Sequence, residues 1–277
     1  MRSILLTLYG LKFNPFQPDI PIEAIYVTPA MDSFCRRTEL AVQDGGFVMI
    51  TGEPGMGKSV TSRVLEHRLR QLPDVAVATI DHPQSRTPDF YRELGDRFSV
   101  SLRASNRWGG FKALRASWSD HIGKTTMRPV LIIDEAQQMH DEVFSELRLL
   151  TSKHFDTRSL LCVVFAGDGR LPERFRNPEL VPLGSRIRRR LCLEPASREE
   201  LGACLDHLLA AAGNSALMSA GLKSTVIEHA TGNYRIMMHI ADELLAAGAE
   251  RNAPQLDEKL YMEVYDVPRA KTAGRKR

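Results

Sequence analysis

The most informative segment of the chain is Gly52-Glu53-Pro54-Gly55-Met56-Gly57-Lys58-Ser59. Its pattern, G-x-x-x-x-G-K-S, is typical of a loop whose glycines let successive backbone N–H groups curl around phosphate oxygens. Lys58 would then reach the β and γ phosphates, and Ser59 would offer its hydroxyl to Mg²⁺. An apolar run at residues 47–51 precedes the loop, and apolar residues at helical spacing follow it. The eight residues and the next one, Val60, are therefore predicted to bind a nucleotide.

A second apolar run supplies the acidic partner that such a loop needs. Residues 130–135 read VLIIDE, so Asp134 and Glu135 stand at the end of a predicted buried strand. Asp134 is expected to hold Mg²⁺ through water, and Glu135 to orient and polarise the attacking water. Taken alone, a run that ends in two acids also suits a solvated strand end. Together with the phosphate loop, it indicates nucleotide hydrolysis.

Apolar runs alternate with helical patterns throughout the first part of the chain. The strand candidates are residues 47–51, 75–80, 130–133, 160–165 and 191–193. Strands that are separated by helices predict an α/β fold with a parallel five-stranded sheet.

The character of the sequence changes near residue 195, after which the segments are helical only. Ser197 and Glu200 form a capping-box pattern, and Gly213 is a natural end for the helix that they begin. We expect a nucleotide-binding αβ domain at 1–195, a helical lid at 196–267 and a basic, disordered tail at 268–277.

Composition limits the classes of function. The 37 Lys and Arg against 34 Asp and Glu give a formal charge of +3, and five of the basic residues fall in the last ten positions, which excludes a uniformly basic nucleic-acid coat. No apolar run approaches the roughly 20 residues that span a bilayer, so we expect no membrane insertion. The four cysteines show no metal-binding spacing, which fits a reducing cytoplasm, and Cys162 and Cys192 are expected to be buried.

Three further side chains are candidates for the nucleotide site. Asp168 follows the strand candidate that ends near residue 166, where it would sense the γ-phosphate or simply form a turn. Arg186 belongs to the basic run 185–190, just before the last predicted strand, which suits either an arginine finger for a neighbouring subunit or a solvated surface. Arg235 begins a helix, where it would reach the γ-phosphate or remain a surface arginine.

The order of these motifs resembles that of AAA+ ATPases. The loop, Asp134-Glu135, Ser185-Arg186 and the Gly-Asn-x-Arg of residues 232–235 follow one another as they do in that family. The opening at residues 9–16, YGLKFNPF, and the run DEAQ at 134–137 resemble the ExeA-like and TniB/TnsC/MuB-like group, ATPases that accompany DDE transposases. The similarity covers about residues 5–250.

The resemblance implies ATP, with Mg²⁺, between an αβ base domain and a helical lid. It places Tyr9, Phe13 and Phe16 near the adenine, makes Arg186 the finger that acts on a neighbour, and makes Arg235 a second sensor. Asp168 departs from the pattern, because many relatives have an amide or a hydroxyl there.

The resemblance also implies a DNA-binding surface at residues 103–128, where basic and aromatic residues interleave. In the transposition ATPases this region lines a ring or filament around DNA, so Arg103, Arg107 and Lys112 are expected to contact phosphates. A solvated helix face explains them as well. The predicted partners are double-stranded DNA, a DDE-type transposase and further copies of the chain.

Secretion proteins of the ExeA type also carry a membrane span and a periplasmic part, which this sequence lacks, so the expectation favours transposition. Two alternatives remain open: an AAA+ loader or initiator that remodels a protein partner, and a nucleotide-gated scaffold with little turnover. Glu135 argues against the scaffold, since it supplies the group that activates water.

Overall fold

The structure, a computed structural model, describes residues 2–102 and 106–265, with side chains from Leu6 onward. It divides the chain into two compact units. The sheet unit is Val27–Glu194, and the helical unit combines the first 26 residues with those from Pro195 onward.

Parallel strands form the centre of the sheet unit. The strands are β1 (Gly46–Gly52), β2 (Val77–Ile80), β3 (Val130–Ile133), β4 (Ser152–Lys153), β5 (Arg158–Ser159), β6 (Cys162–Gly167) and β7 (Ile187–Leu193). Five of them pair in parallel in the order β2-β3-β6-β1-β7, while β4 and β5 form a small antiparallel hairpin. The prediction of an α/β fold with a five-stranded parallel sheet is confirmed.

Helices cover this sheet. They are α2 (Pro29–Ala41), α3 (Lys58–Gln71), α4 (Thr87–Arg97), α5 (Arg107–Thr125), α6 (Asp141–Thr151), α7 (Arg170–Arg174) and α8 (Val181–Gly184). Every residue of β3 and β6 is buried, as expected for central strands covered on both faces. Because the strands are parallel, the carboxyl ends of β1, β3 and β6 meet at one edge, where the predicted phosphate loop, Asp134 and Asp168 follow them.

The last strand corrects one expectation. Residues 185–190 were expected to precede it, but β7 begins at Ile187 and includes Arg188, Arg189 and Arg190. The strand lies at the edge of the sheet and pairs only with β1, so one side of its backbone is paired and several of its side chains reach solvent. The same position exposes Cys192, contrary to expectation, whereas Cys162 on central β6 is buried.

The helical unit contains α1 (Arg2–Tyr9), α9 (Arg198–Ala212), α10 (Ala220–Ala230), α11 (Tyr234–Glu250) and α12 (Glu258–Tyr265). The capping box of Ser197 and Glu200 is present, and Gly213 ends α9 at a φ of 99°. No helix in the described ranges combines the length and the apolar character needed to cross a membrane.

The chain's first 26 residues lie in the helical unit, whereas the sequence suggested one domain over 1–195. Tyr9 and Phe16 are 5% and 4% exposed and belong to the core of the helical unit. The Lys12 backbone N–H donates to the Ala212 carbonyl at 2.8 Å. Apolar burial against α9 and α11 therefore decides the placement of this segment, which contains the aromatic residues expected near adenine.

Candidate nucleotide-binding site

The predicted phosphate loop connects β1 directly to α3. Gly55 and Gly57 have φ values of 88° and 94°, in the left-handed region that glycine enters without strain. At Gly52 an added Cβ would lie 2.8 Å from the carbonyl oxygen of Leu193 on β7. Glycine is thus required both for the curl of the loop and for the close approach of two strands.

Lys58, at the start of α3, is the buried cation of the loop. Its side chain is 7% exposed, and its Nζ donates to the carbonyl oxygens of Gly52 at 2.7 Å and Glu53 at 3.2 Å. The first N–H groups of α3 have no partner within the helix, and the helix dipole favours an anion beside them. Backbone donors and one buried ammonium group therefore converge on a single position, the arrangement that binds terminal phosphates.

The loop is joined to β3 by a hydrogen bond. Ser59 Oγ donates to Asp134 Oδ2 at 3.1 Å, and Asp134 Oδ1 accepts from the Glu135 backbone N–H at 2.9 Å. A hydroxyl and a carboxylate side by side are the oxygen ligands that Mg²⁺ takes when phosphates and waters complete its shell. The oxygen atoms of Ser59 and Asp134 are therefore suitable ligands for Mg²⁺.

Glu135 is held in place by two amides. Its backbone is left-handed at a φ of 50°, and its Oε2 accepts from Gln137 Nε2 at 2.6 Å and Gln138 Nε2 at 3.4 Å. Gln137 is buried, and its Oε1 accepts from the Asp168 backbone N–H at 3.3 Å. Gln137 thus connects the ends of β3 and β6, a role that the sequence analysis missed, since it treated this residue only as part of the run DEAQ.

Asp168 lies beside this group but is already paired. Both of its carboxylate oxygens accept from Arg170, at 2.6 to 3.1 Å. The hydrogen bond from Arg170 lowers the pKa of Asp168, and the charge of Lys58 contributes in the same direction. A cavity of about 790 Å³ opens next to the pair and is also lined by Glu53.

Comparison with known proteins agrees with this geometry. A family model described as "AAA domain" matches residues 41–175, from the end of α2 to the end of α7. Residues 41–175 thus resemble an AAA domain. The matched segment contains the phosphate loop, Asp134, Glu135 and Asp168, and three of the four strand pairings of the central sheet.

The match to one curated relative extends well beyond residues 41–175. The chain is 30% identical over 276 residues to the General secretion pathway protein A of Aeromonas hydrophila, over 96% of this chain and 49% of that protein. The chain therefore spans about half the length of this relative.

Solved structures share the fold at low identity. The ORC2 protein of Aeropyrum pernix, solved as ADPNP and ADP complexes, gives a TM-score of 0.70 at 14% identity over 91% of this chain and 70% of that one. Drosophila ORC bound to DNA gives 0.69 at 17% identity, over 95% and 65%. The RuvB branch migration motor of Thermotoga maritima gives 0.58 at 15%, over 90% and 73%. These matches show an AAA+ fold.

Arg186 lies outside the matched AAA segment, at the amino edge of the sheet. It donates to Asp156 in the loop of the β4–β5 hairpin and to the carbonyl oxygen of Pro182. Since the phosphate loop lies at the carboxyl edge, the two are not brought together within one subunit.

The remaining nucleotide candidates belong to the helical unit. Arg235 is exposed in the first turn of α11, where Asn233 Oδ1 accepts from the backbone N–H groups of Arg235 and Ile236 at 3.0 and 3.2 Å. Phe13 is partly buried, while Tyr9 and Phe16 are core residues. Burial raises the pKa of Tyr9, and its hydroxyl has no hydrogen-bond partner among the described residues.

The predicted DNA contacts on α5 are partly engaged elsewhere. Arg107 forms an ion pair with Glu146, a buried carboxylate that also accepts from the Tyr91 hydroxyl at 2.7 Å. Lys112 lies over the exposed ring of Trp108, 5.0 Å from its centroid. Arg103 lies outside the described residues. Of the two described candidates, Arg107 is ion-paired, so the exposed Lys112 is the more accessible to a phosphate.

Proposed function

We propose that this chain binds ATP with Mg²⁺ and hydrolyses it to ADP and phosphate. The observation that carries the proposal is the hydrogen bond from Ser59 to Asp134, which unites the phosphate loop and the end of β3 in one site. Lys58 and the N-terminus of α3 bind the β and γ phosphates. Mg²⁺, when bound at Ser59 and Asp134, neutralises phosphate charge. Glu135, oriented by Gln137, positions the attacking water and accepts its proton.

The variant Lys58→Ala tests this proposal. Losing the buried ammonium group should reduce ATP affinity strongly and lower turnover by at least about a hundredfold, because the terminal phosphates lose a charge-assisted hydrogen bond. Equilibrium binding of a fluorescent ATP analogue and phosphate release provide the measurements. Lys124→Ala is the control, since Lys124 is an exposed lysine of α5 that pairs with Asp120 one turn earlier. Wild-type turnover in Lys58→Ala would refute the proposed site.

Further residues complete the site in this proposal. Arg186 of a neighbouring copy stabilises the transferring phosphate, which its position at the opposite edge of the sheet supports. Arg235 acts as a second sensor, Asp168 as a sensor through its pair with Arg170, and Tyr9, Phe13 and Phe16 serve the adenine side. The closed state of the site is thus a product of oligomerisation, as a ring or a filament.

For the biological role, we propose ATP-dependent assembly on double-stranded DNA that recruits a DDE-type transposase, with Arg103, Arg107 and Lys112 contacting phosphates. The resemblance of the DEAQ and YGLKFNPF runs supports this, and Drosophila ORC, which shares the fold, was solved bound to DNA. Four free cysteines fit a cytoplasmic location.

A second candidate role is the remodelling of a protein partner in secretion. The match to General secretion pathway protein A over almost the whole chain favours it. Because the chain spans about half the length of that relative, the lack of a membrane span and a periplasmic part in this sequence does not count against secretion.

Sedimentation with duplex DNA separates the two roles. For the DNA role we expect cooperative assembly with a slowly hydrolysed ATP analogue. With ADP this assembly should be lost, leaving only the weaker duplex binding of single copies. Absence of DNA binding in both nucleotide states would favour the protein-remodelling role.

A further inference from the structure

A second cavity, of about 470 Å³, lies at the amino edge of the sheet. We call it the arginine basin, after the arginines that line it: Arg128, Arg148, Arg158, Arg186, Arg188 and Arg189. Two acidic residues, Asp44 and Asp156, also line it. The basin therefore carries a strong local positive charge within a chain whose overall charge is only +3.

The arginines reach the basin from separate elements. Arg148 lies in the last turn of α6, Arg158 in the β4–β5 hairpin, and Arg188 and Arg189 in β7. The pairing of β7 with β1 passes from Ile187 to Arg189, so a bulge leaves Arg188 without a partner. A bulge re-aims side chains, which explains how two consecutive residues both line one cavity.

The arginines divide into two groups by their contacts. Arg128 donates to the carbonyl oxygens of Gln43, Thr126 and Ser159, and Arg186 donates to Asp156 and Pro182. The other four arginines of the basin make no side-chain hydrogen bond or ion pair within the part of the chain that the structure describes. They are Arg148, Arg158, Arg188 and Arg189.

Protection of an edge strand does not account for this arrangement. Charged side chains on β7 would discourage edge-to-edge pairing, but Arg148 and Arg158 come from other elements and face the same cavity. Like charges around a cavity repel one another. Hydrogen bonds from Ser152 and Arg186 lower the pKa of Asp156, and the charges of Arg186 and Arg148 add to this in the same direction. An anion with several negative oxygens would relieve that repulsion.

We propose that the arginine basin is a second phosphate-binding site, which takes backbone phosphates of a nucleic acid. Guanidinium groups bind phosphate oxygens in pairs, and they do so without reading bases. The seven residues of β1 separate the basin from the phosphate loop by about 20 Å, so one phosphate group cannot serve both. This site goes beyond the proposed function, in which Arg103, Arg107 and Lys112 make the DNA contacts.

A triple variant, Arg148→Ala, Arg158→Ala and Arg188→Ala, tests the proposal in the full chain. Arg186 stays unchanged, so its proposed role toward a neighbour's ATP is preserved. ADP and Mg²⁺ are kept saturating so that the phosphate loop is occupied. Binding is measured to a mixed-sequence duplex of about 30 base pairs and, separately, to inorganic tripolyphosphate. Duplex affinity should fall at least about tenfold, with the slope of log affinity against log salt reduced by about one to two.

The matched control removes the same charge elsewhere in the sheet unit. Arg36→Ala, Arg70→Ala and Arg92→Ala each delete an arginine paired with an acid within its own helix. Duplex affinity in this control should stay within about twofold of wild type. An equal loss in both triple variants would show a net-charge effect and overturn the site, as would no loss in either.

Tripolyphosphate distinguishes the source of the phosphate. Loss of both ligands in the basin variant supports a nucleic-acid site. Loss of tripolyphosphate with unchanged duplex binding would overturn the nucleic-acid assignment in favour of a free polyphosphate. These measurements need no ATP turnover, so the result for the basin is separate from the result for Lys58→Ala.

Discussion

The two edges of the central sheet present phosphate-binding chemistry of different kinds. At the carboxyl edge, the phosphate loop and the start of α3 offer backbone N–H groups and one buried ammonium group, on Lys58. At the amino edge, arginine side chains from several elements line a cavity. Backbone donors are rigid and aim at one point, whereas arginine side chains are long and adjust to the anion that they meet.

Each edge suits a different task because its phosphate-binding groups differ in rigidity. Positioning a phosphate for reaction requires donors that do not move, so a loop built on glycine and a helix N-terminus suits hydrolysis. Holding a chain of phosphates requires charge and reach, which arginine supplies without a fixed geometry. The following predictions test this division, beginning with the largest expected effect.

Glu135→Gln should affect only the carboxyl edge. The amide keeps the shape of the side chain but cannot accept a proton from water, so kcat for ATP should fall by about 10² to 10³ while ATP affinity stays within about threefold. Duplex binding by the arginine basin in ADP should not change. Steady-state phosphate release and nucleotide titration are the measurements.

Glu142→Gln is the control for that variant, since Glu142 is an exposed acid in the first turn of α6. Its kcat should match wild type. If Glu135→Gln retained full turnover, water activation would have to come from another group.

Gln137→Ala should have an intermediate effect, because Gln137 acts through Glu135 as a positioning residue. Its Nε2 donates to Glu135 at 2.6 Å, and loss of that bond should lower kcat about tenfold without changing KM for ATP. Gln137→Glu should lose more, because two carboxylates would then face each other. Gln138→Ala, which removes a longer bond of 3.4 Å, should stay within about threefold of wild type. Equal effects from all three variants would show that Gln137 merely supports the fold.

Asp156→Asn should have the smallest effect, and at the amino edge only. Removing the acid that pairs with Arg186 frees a guanidinium group for the basin, so duplex affinity should rise about threefold. Hydrogen bonds from Ser152 and Arg186 hold the pKa of Asp156 below its usual value, so Asp156 stays ionised at and above pH 5 and the gain should be equal at pH 6 and pH 8.

Asp44→Asn tests whether the rise in duplex affinity comes from the lost negative charge or from freeing the guanidinium group of Arg186. Asp44 lines the same basin, and its carboxylate makes no ion pair within the described ranges. A smaller rise is expected for this variant, and a rise equal to that of Asp156→Asn would mean that net charge alone governs the basin.

Much of the carboxyl edge could be predicted because its parts are local. The glycines dictate the turn, the apolar run of β1 dictates the strand, and Asp134 and Glu135 follow directly after β3. The contact of Ser59 with Asp134 then follows from the parallel sheet, which places the carboxyl ends of its strands at one edge.

Other features could not be predicted from local pattern. The arginines of residues 188–190 suppress the strand signal, yet pairing with β1 makes them part of β7. The ion pair of Arg107 joins it to the buried carboxylate of Glu146, 39 residues away in sequence. The burial of Tyr9 and Phe16 depends on helices that lie almost 200 residues further along the chain.

The phosphate loop, the acidic pair after β3 and the parallel α/β class are therefore readable from local sequence. These depend on backbone dihedral angles and hydrophobic periodicity over a few residues. Two features arise only when the chain folds: Gln137 connects Glu135 to the end of β6, and arginines from α6, the hairpin and β7 line one cavity. Such contacts depend on strand register and on packing between distant segments, which no local pattern encodes.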